Sequence, residues 1–159
     1  MKLYEFPLSG HSHKARLMLS LLGKEYESVI LNRLESEQKS ARFLERNPFG
    51  QVPVLKDGDT VIRDSQAILV YLARQYGDEH WLPLAPAAMA QVIAWLSTAA
   101  NEVTRGPCWL RAHQKFGRDI NVIEAQEITT TLLGVLQTQL AQQVWLAGDQ
   151  ISIADIAVY

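Results

Sequence analysis

Residues 47–72 read NPFGQVPVLKDGDTVIRDSQAILVYL, and how this stretch folds decides the architecture of the rest. Two short apolar runs, Val52 to Leu55 and Thr60 to Ile62, are separated by Asp57-Gly58, a dipeptide that favours a tight reversal between antiparallel strands. A β-hairpin is expected. Directly after it, Asp64 and Ser65 precede Ile68, Leu69, Leu72, Ala73 and Tyr76, an apolar spacing along one helical face opened by residues suited to N-capping. Pro53 heads an apolar strand and withholds a ladder donor, which fits an edge, a first strand position or a bulge. If the Val52-Pro53 bond is cis, the chain turns sharply and leaves the Val52 N–H and C=O facing outward, open to an extended peptide-like ligand. The free N–H groups and positive dipole end at Asp64-Ser65 suit a carboxylate. The plainer alternative is an edge hairpin followed by a capped helix.

Asn47-Pro48-Phe49-Gly50-Gln51-Val52-Pro53-Val54-Leu55, then Asp64-Ser65-Gln66-Ala67-Ile68 and Tyr71-Leu72, resembles the glutathione-binding half of the cytosolic glutathione transferases. The combination of Asn-Pro, Val-Pro and an acidic-Ser pair at this separation is far more specific than any one piece. The resemblance implies a thioredoxin-like fold, glutathione as co-substrate and no metal.

The 159 residues suit one compact unit or two small lobes. Hydrophobic residues at 48% and charged residues at 20% argue against disorder, and a net charge of −2 offers no long-range attraction for nucleic acid or anionic lipid. The N-terminus meets a charge and a proline too early for a signal peptide, and no apolar run is long enough to span a bilayer. A single cysteine, Cys108, excludes an internal disulfide and a C-x-x-C pair, so a cytoplasmic location is expected.

Lys2 to Phe6 reads as a strand, His11 to Leu22 as a helix closed by Gly23, and Tyr26 to Leu31 as a second strand, with the helix as the crossover that parallel strands require. Glu37 to Arg46 reads as a short polar helix stopped by Asn47-Pro48. With the hairpin and its helix, residues 1–77 read β-α-β-α-β-β-α, an α+β lobe with a mixed four-stranded sheet. Residues 78–86 read as a linker and 87–159 as an all-helical lobe. In that lobe Ala87 to Val103 and Asp119 to Val144 carry helical apolar spacing, with Gly106-Pro107 expected to kink or end the first helix. Thr129 to Thr131 is a β-branched run that packing must override. Ser152-Ile153-Ala154-Asp155 has the form of a capping box. The same box is a hallmark of the transferase helical lobe, whose members continue past this point, so the chain reads as incomplete at its C-terminus.

The loop Ser9-Gly10-His11-Ser12-His13-Lys14-Ala15-Arg16-Leu17 is similar to the serine-type, bacterial-like transferase motif, in which the first Ser hydrogen-bonds the glutathione sulfur. Ser9 is therefore the expected activating residue, with His11 and Ser12 as alternatives. Helix N-capping is the commoner task for a serine there. His11-x-His13 lacks the carboxylate or cysteine company of a metal site. By position the resemblance gives Val52, preceding Pro53, to the cysteinyl backbone and Asp64 with Ser65 to the γ-glutamyl end. It gives Gln51 and Lys39 to the glycyl carboxylate, although Lys39 reads equally as a solvated lysine. The second substrate, a small hydrophobic electrophile, is expected against Asn101, Arg105 and Trp109, which fall on successive turns. Phe49 either keys a homodimer or makes an intramolecular contact. The implied function is conjugation of the glutathione thiolate to a hydrophobic electrophile, a detoxification chemistry. A non-enzymatic interaction module of the same fold and a glutathione-dependent isomerase or peroxidase are the alternatives.

Overall fold

The computed structural model describes every residue, Met1 to Tyr159, and the chain divides into two compact units, Met1–Asp78 and Glu79–Tyr159. In the first unit β1 (Lys2–Glu5), α1 (Gly10–Leu21), β2 (Glu27–Ile30), α2 (Ala41–Leu44), β3 (Val54–Asp57), β4 (Thr60–Arg63) and α3 (Ser65–Tyr76) follow in order. The four strands form one mixed sheet in the order β2-β1-β3-β4, with β1 parallel to β2 and antiparallel to β3. The β-α-β-α-β-β-α expectation, a thioredoxin-like lobe followed by helices alone, describes the chain correctly.

Strand alternation sorts the core. Tyr4, Val29, Leu31, Val52 and Val54 gather with Phe43 of α2. Leu3 and Leu55, paired in register, point to the opposite face and are fully buried. α1 and α3 pack against each other, and Met18 and Leu19 on the first and Ile68, Leu69 and Leu72 on the second are all without exposure. α1 ends as its glycine requires: Gly23 takes φ +61°, and Gly23 and Lys24 donate to the carbonyls of Ser20 and Leu19 at 3.0 and 2.9 Å.

Three local expectations are corrected. The strand after Pro53 starts at Val54 rather than Val52, and the hairpin loop is Gly58-Asp59, since Asp57 pairs with Thr60 inside the ladder. Gly58, at φ +55°, supplies the positive dihedral at the first loop position. The polar helix expected over Glu37 to Arg46 is a 3₁₀ turn, Glu37–Lys39, then the four-residue α2. Ser40 between them is extended, and its side chain accepts from the Phe43 N–H, so a local cap divides the segment.

The third correction concerns Pro107. In the second unit α4 (Pro86–Thr98) runs without a break through a π-helical segment, Ala99–Cys108, into α5 (Trp109–Phe116). The wider turn accommodates a residue that has no N–H to give and whose ring crowds an ordinary helix, so the proline neither ends the helix nor interrupts it. α6 (Val122–Gln142) is capped by Asn121, whose side chain accepts from Glu124 N–H at 3.2 Å. Thr129 and Thr130, the unfavourable β-branched residues, return their hydroxyls to the carbonyls of Ala125 and Gln126 at 2.7 and 3.0 Å.

α6 packs on the π-helical segment at Gly106, where a β-carbon would stand 2.8 Å from Thr129 Oγ1 and 3.2 Å from the Thr129 nitrogen. Because that hydroxyl is already held by Ala125, it has little room to yield. Gly106→Ala is expected to destabilise the protein by about 1–3 kcal/mol through overpacking, read from its thermal melting.

The capping box forms at α7 (Ile153–Val158). Ser152 Oγ accepts from Ala154 N–H at 3.2 Å, and Asp155 Oδ2 accepts from Ser152 N–H at 2.9 Å. Asp155 Oδ1 adds a bond from Leu146 N–H at 2.9 Å, tying the preceding loop to the helix start. No helix is long and apolar enough to cross a membrane.

Candidate glutathione-binding site

The site is assembled by the segment before β3, the start of α3 and the start of α1, all in the first unit. The Val52-Pro53 peptide bond is cis. Val52 tucks its side chain into the cluster around Leu31, Phe43 and Val54, while its N–H and C=O engage no backbone or side-chain partner. A free backbone donor and acceptor on one residue are what a peptide ligand needs to add itself as a strand.

Asn47 fixes this segment from behind. Although polar, it is almost fully buried. Its amide donates to the Gln51 carbonyl at 2.8 Å, and its Oδ1 accepts from Phe49 N–H at 3.1 Å. Gly50 closes the turn at φ +58°, donating to the Asn47 carbonyl at 2.8 Å. Here glycine is required twice over, because a β-carbon would lie 2.7 Å from the Gln38 carbonyl and from Lys39 Cδ.

Lys39 is thereby placed beside the loop even though its expected helix is absent. Its Nζ donates to the Phe49 carbonyl at 2.9 Å, and neighbouring Gln51 is exposed. Phe49 is 61% exposed, and the Arg63 guanidinium lies over its ring at 4.9 Å from the centroid, an intramolecular contact.

At the other end, Asp64 combines a cap with a rare backbone conformation. Its φ of 74° is unusual for a residue with a side chain, and its Oδ1 accepts from Gln66 and Ala67 N–H at 2.8 and 3.2 Å. Oδ2 takes no part in the cap. Ser65 is buried, with 3% of its surface exposed. Asp64→Asn retains the capping oxygen and a side chain of the same size but loses the charge. Stability is expected to stay within about 0.5 kcal/mol of wild type. Affinity for glutathione is expected to fall about tenfold, the size of one hydrogen bond to a charged group, measured by calorimetry.

The α1 loop meets this end directly, since His11 Nδ1 lies 3.3 Å from Ser65 Oγ. Burial, and secondarily the charge of Lys14, pushes the His11 pKa below its ordinary value, which favours the neutral ring. Ser9 is half-buried and caps α1, its Oγ accepting from Ser12 N–H at 3.2 Å. That bond uses a lone pair and leaves the hydroxyl hydrogen free to donate. Ser12 is fully buried, and its hydroxyl has no hydrogen-bond partner.

Residues of the second unit stand differently. Asn101 is exposed and donates to the Ser97 carbonyl at 3.0 Å. Arg105 pairs with Glu124, and Trp109 carries the Arg118 guanidinium 4.7 Å from its ring centroid. No group of three or more His, Cys, Asp or Glu side chains is arranged to hold a metal.

Sequence reasoning passed over Asn47 and Arg16 as supports of the site. Asn47 announces itself only as a polar residue before a proline. Arg16 lies within the quoted loop motif, but its partner Glu5 sits in what reads as an ordinary strand.

A free backbone edge preceding β3 and a capped helix start on a thioredoxin-like sheet form a candidate site for a peptide-like ligand, and comparison with known proteins narrows the class. Residues 3–80 match the model of the glutathione S-transferase N-terminal domain, and residues 84–159 match that of the C-terminal domain. A probable glutathione S-transferase of Oryza sativa subsp. japonica is 36% identical, over 99% of this chain and 77% of its own. A zeta-class glutathione S-transferase of Euphorbia esula is 46% identical over 83 residues, 52% of this chain and 37% of its own. Among solved structures, a glutathione transferase homolog from Drosophila mojavensis with bound glutathione superposes with a TM-score of 0.89 at 29% identity, covering 99% of this chain and 73% of that one. A glutathione S-transferase from Pseudomonas fluorescens gives 0.88 at 30% identity, covering 99% and 80%. The chain belongs to the glutathione S-transferase family.

Proposed function

We propose that the protein binds glutathione along the edge preceding β3 and conjugates its thiolate to a small hydrophobic electrophile. The observation that carries this reading is the unpartnered N–H and C=O of Val52, lying in sequence between a fixed Gly50 turn and the Asp64-Ser65 helix start. The cysteinyl backbone would pair with Val52, as if it were a further strand. Asp64 Oδ2 would take the γ-glutamyl ammonium and Ser65 its carboxylate. Lys39 and Gln51 would face the glycyl carboxylate, with one Lys39 donor holding Phe49 and two remaining.

Ser9 then stands at the cysteinyl sulfur and donates its hydroxyl hydrogen to it. A free thiol has a pKa of about 8.5, and lowering it by about two units takes roughly 2.7 kcal/mol in favour of the thiolate. A hydrogen bond to the charged sulfur provides about 1.5–3 kcal/mol, and the α1 N-terminus adds about 0.3–1 kcal/mol. No strong base is needed, and the thiol proton passes to solvent. With an aryl halide as acceptor, a carbon–sulfur bond forms and the halide leaves with the electron pair of its bond to carbon.

The free Val52 edge and the α3 start support glutathione binding in an enzyme and in an interaction module alike, so turnover separates the two. The test is turnover: purified protein with glutathione and a chromogenic aryl halide should release halide faster than glutathione alone. A rate no greater than that background would overturn conjugation of this acceptor class. Glutathione binding without turnover on any of a panel of electrophiles would favour the interaction module. Oligomeric state by light scattering, with Phe49→Ala alongside, tests the homodimer that Phe49 would key.

A further inference from the structure

His11 is one of the residues that stood beside Ser9 as a candidate for the thiol, yet its Nδ1 is directed to Ser65 Oγ, 3.3 Å away. Ser65 Oγ in turn lies 3.4 Å from Gln66 Oε1, an atom that can only accept. A hydroxyl has one hydrogen. If Ser65 gives it to Gln66, the His11 ring must supply its own hydrogen at Nδ1 and the serine oxygen accepts it. The three groups then form one directed chain, from the first turn of α1 through Ser65 to the side chain that follows it on α3. All of it is built on a serine with 3% exposure, where an unoriented hydroxyl would be costly.

We propose that His11 is a positioning residue for glutathione, holding the Ser65 hydroxyl hydrogen outward for the γ-glutamyl carboxylate while Gln66 Oε1 keeps that carboxylate's place in the free protein. The inference rests on the glutathione reading above and deepens it. A carboxylate oxygen is a charged acceptor and draws the hydroxyl hydrogen more strongly than the amide oxygen at 3.4 Å, so binding exchanges a weak bond for a charge-assisted one. His11 Nδ1–H remains as donor before and after, and the neutral ring suffices. His11 therefore acts on the acidic end of the ligand, and Ser9 is left alone at the sulfur.

The test is calorimetry on the full chain with two ligands, glutathione and γ-aminobutyryl-cysteinylglycine, which retains the amine but lacks the α-carboxylate. Three variants enter: His11→Phe removes the donor, His11→Asn restores an N–H close to the Nδ1 position, and His11→Ala serves if His11→Phe does not give a cooperative melt. His11→Phe or His11→Ala is expected to weaken glutathione about tenfold, His11→Asn to stay within about twofold of wild type, and all to bind the γ-aminobutyryl analogue like wild type. A merely structural role for His11 would weaken both ligands equally, and that result overturns the proposal. So does unchanged glutathione affinity in His11→Phe or His11→Ala. Those outcomes leave glutathione binding by wild type intact, whereas absence of wild-type binding removes the proposed function and this inference together.

Discussion

Arg16→Ala is expected to lower the melting temperature by on the order of 10 °C, at a cost of about 3–5 kcal/mol. Glu5, on β1, has only 2% of its surface exposed, yet it is a carboxylate. Its charge is met by the Arg16 guanidinium from α1, while Ser28 Oγ from β2 donates to its other oxygen at 2.7 Å. A second Arg16 nitrogen donates to the Pro7 carbonyl at 3.1 Å, in the loop that delivers Ser9. Truncating the arginine leaves a buried charge with one neutral donor and releases the loop as well. The whole stability of a domain is about 5–15 kcal/mol, so the loss is a large share. Replacing both partners with apolar residues, Glu5→Leu with Arg16→Met, should recover most of it, because the penalty lies in the orphaned charge rather than in the pair. A double variant as unstable as Arg16→Ala would show that the network contributes through something other than charge compensation.

Ser9→Ala should alter the pH dependence of turnover more than its maximum. With the hydroxyl donor gone, the bound thiol returns toward its ordinary pKa of about 8.5, from about 6.5 in the wild type. The thiolate form exists above the pKa, so wild-type rates fall only as pH drops through about 6.5, whereas the variant begins to lose rate from about pH 8.5. The difference is close to 100-fold at the acid end and vanishes above about pH 9. Ser9 also caps α1, so a stability loss of about 1 kcal/mol accompanies the substitution. Ser9→Gly separates the two effects, since glycine costs a helix cap only a few tenths of a kcal/mol while still lacking the donor. Ser9→Thr should retain much of the wild-type profile. Superimposable pH–rate profiles for Ser9→Ala and wild type would remove Ser9 from the mechanism.

Most of the fold was legible because its signals are local. Asp57 to Thr60 carries hairpin chemistry, and the error of one residue in the loop arose because Asp57 could serve equally in the turn or in the ladder. The α3 start was legible in Asp64-Ser65, whose capping preference matches what its Oδ1 does. The Glu37 to Arg46 segment misled because charged residues read as helical in isolation, whereas Ser40 caps in mid-segment and Ser36 sits at φ 53°. Pro107 misleads for the opposite reason: a proline disrupts an α-helix, and this segment widens to a π-helix.

The site was legible only where a backbone motif carried it. Val52, Asp64 and Ser65 could be named from spacing, but the link between His11 and Ser65 joins positions 54 residues apart, and no periodicity announces it. Lys39 is assigned beside Gln51 by resemblance alone, and the continuous helix expected to carry it does not form. It arrives there because Gly50 leaves room for its side chain. Glu5 was invisible as a partner because one acidic residue in an apolar strand reads as the exposed face.

The most direct measurement is the amide ¹H–¹⁵N spectrum of the intact, isotopically labelled protein during a glutathione titration. If the tripeptide docks as an added strand, the Val52 amide moves downfield in a saturable manner and becomes protected from exchange, in step with Asp64 and Ser65. A spectrum in which glutathione binds and shifts other residues while Val52 stays in place would contradict that docking, and so would a titration that moves nothing.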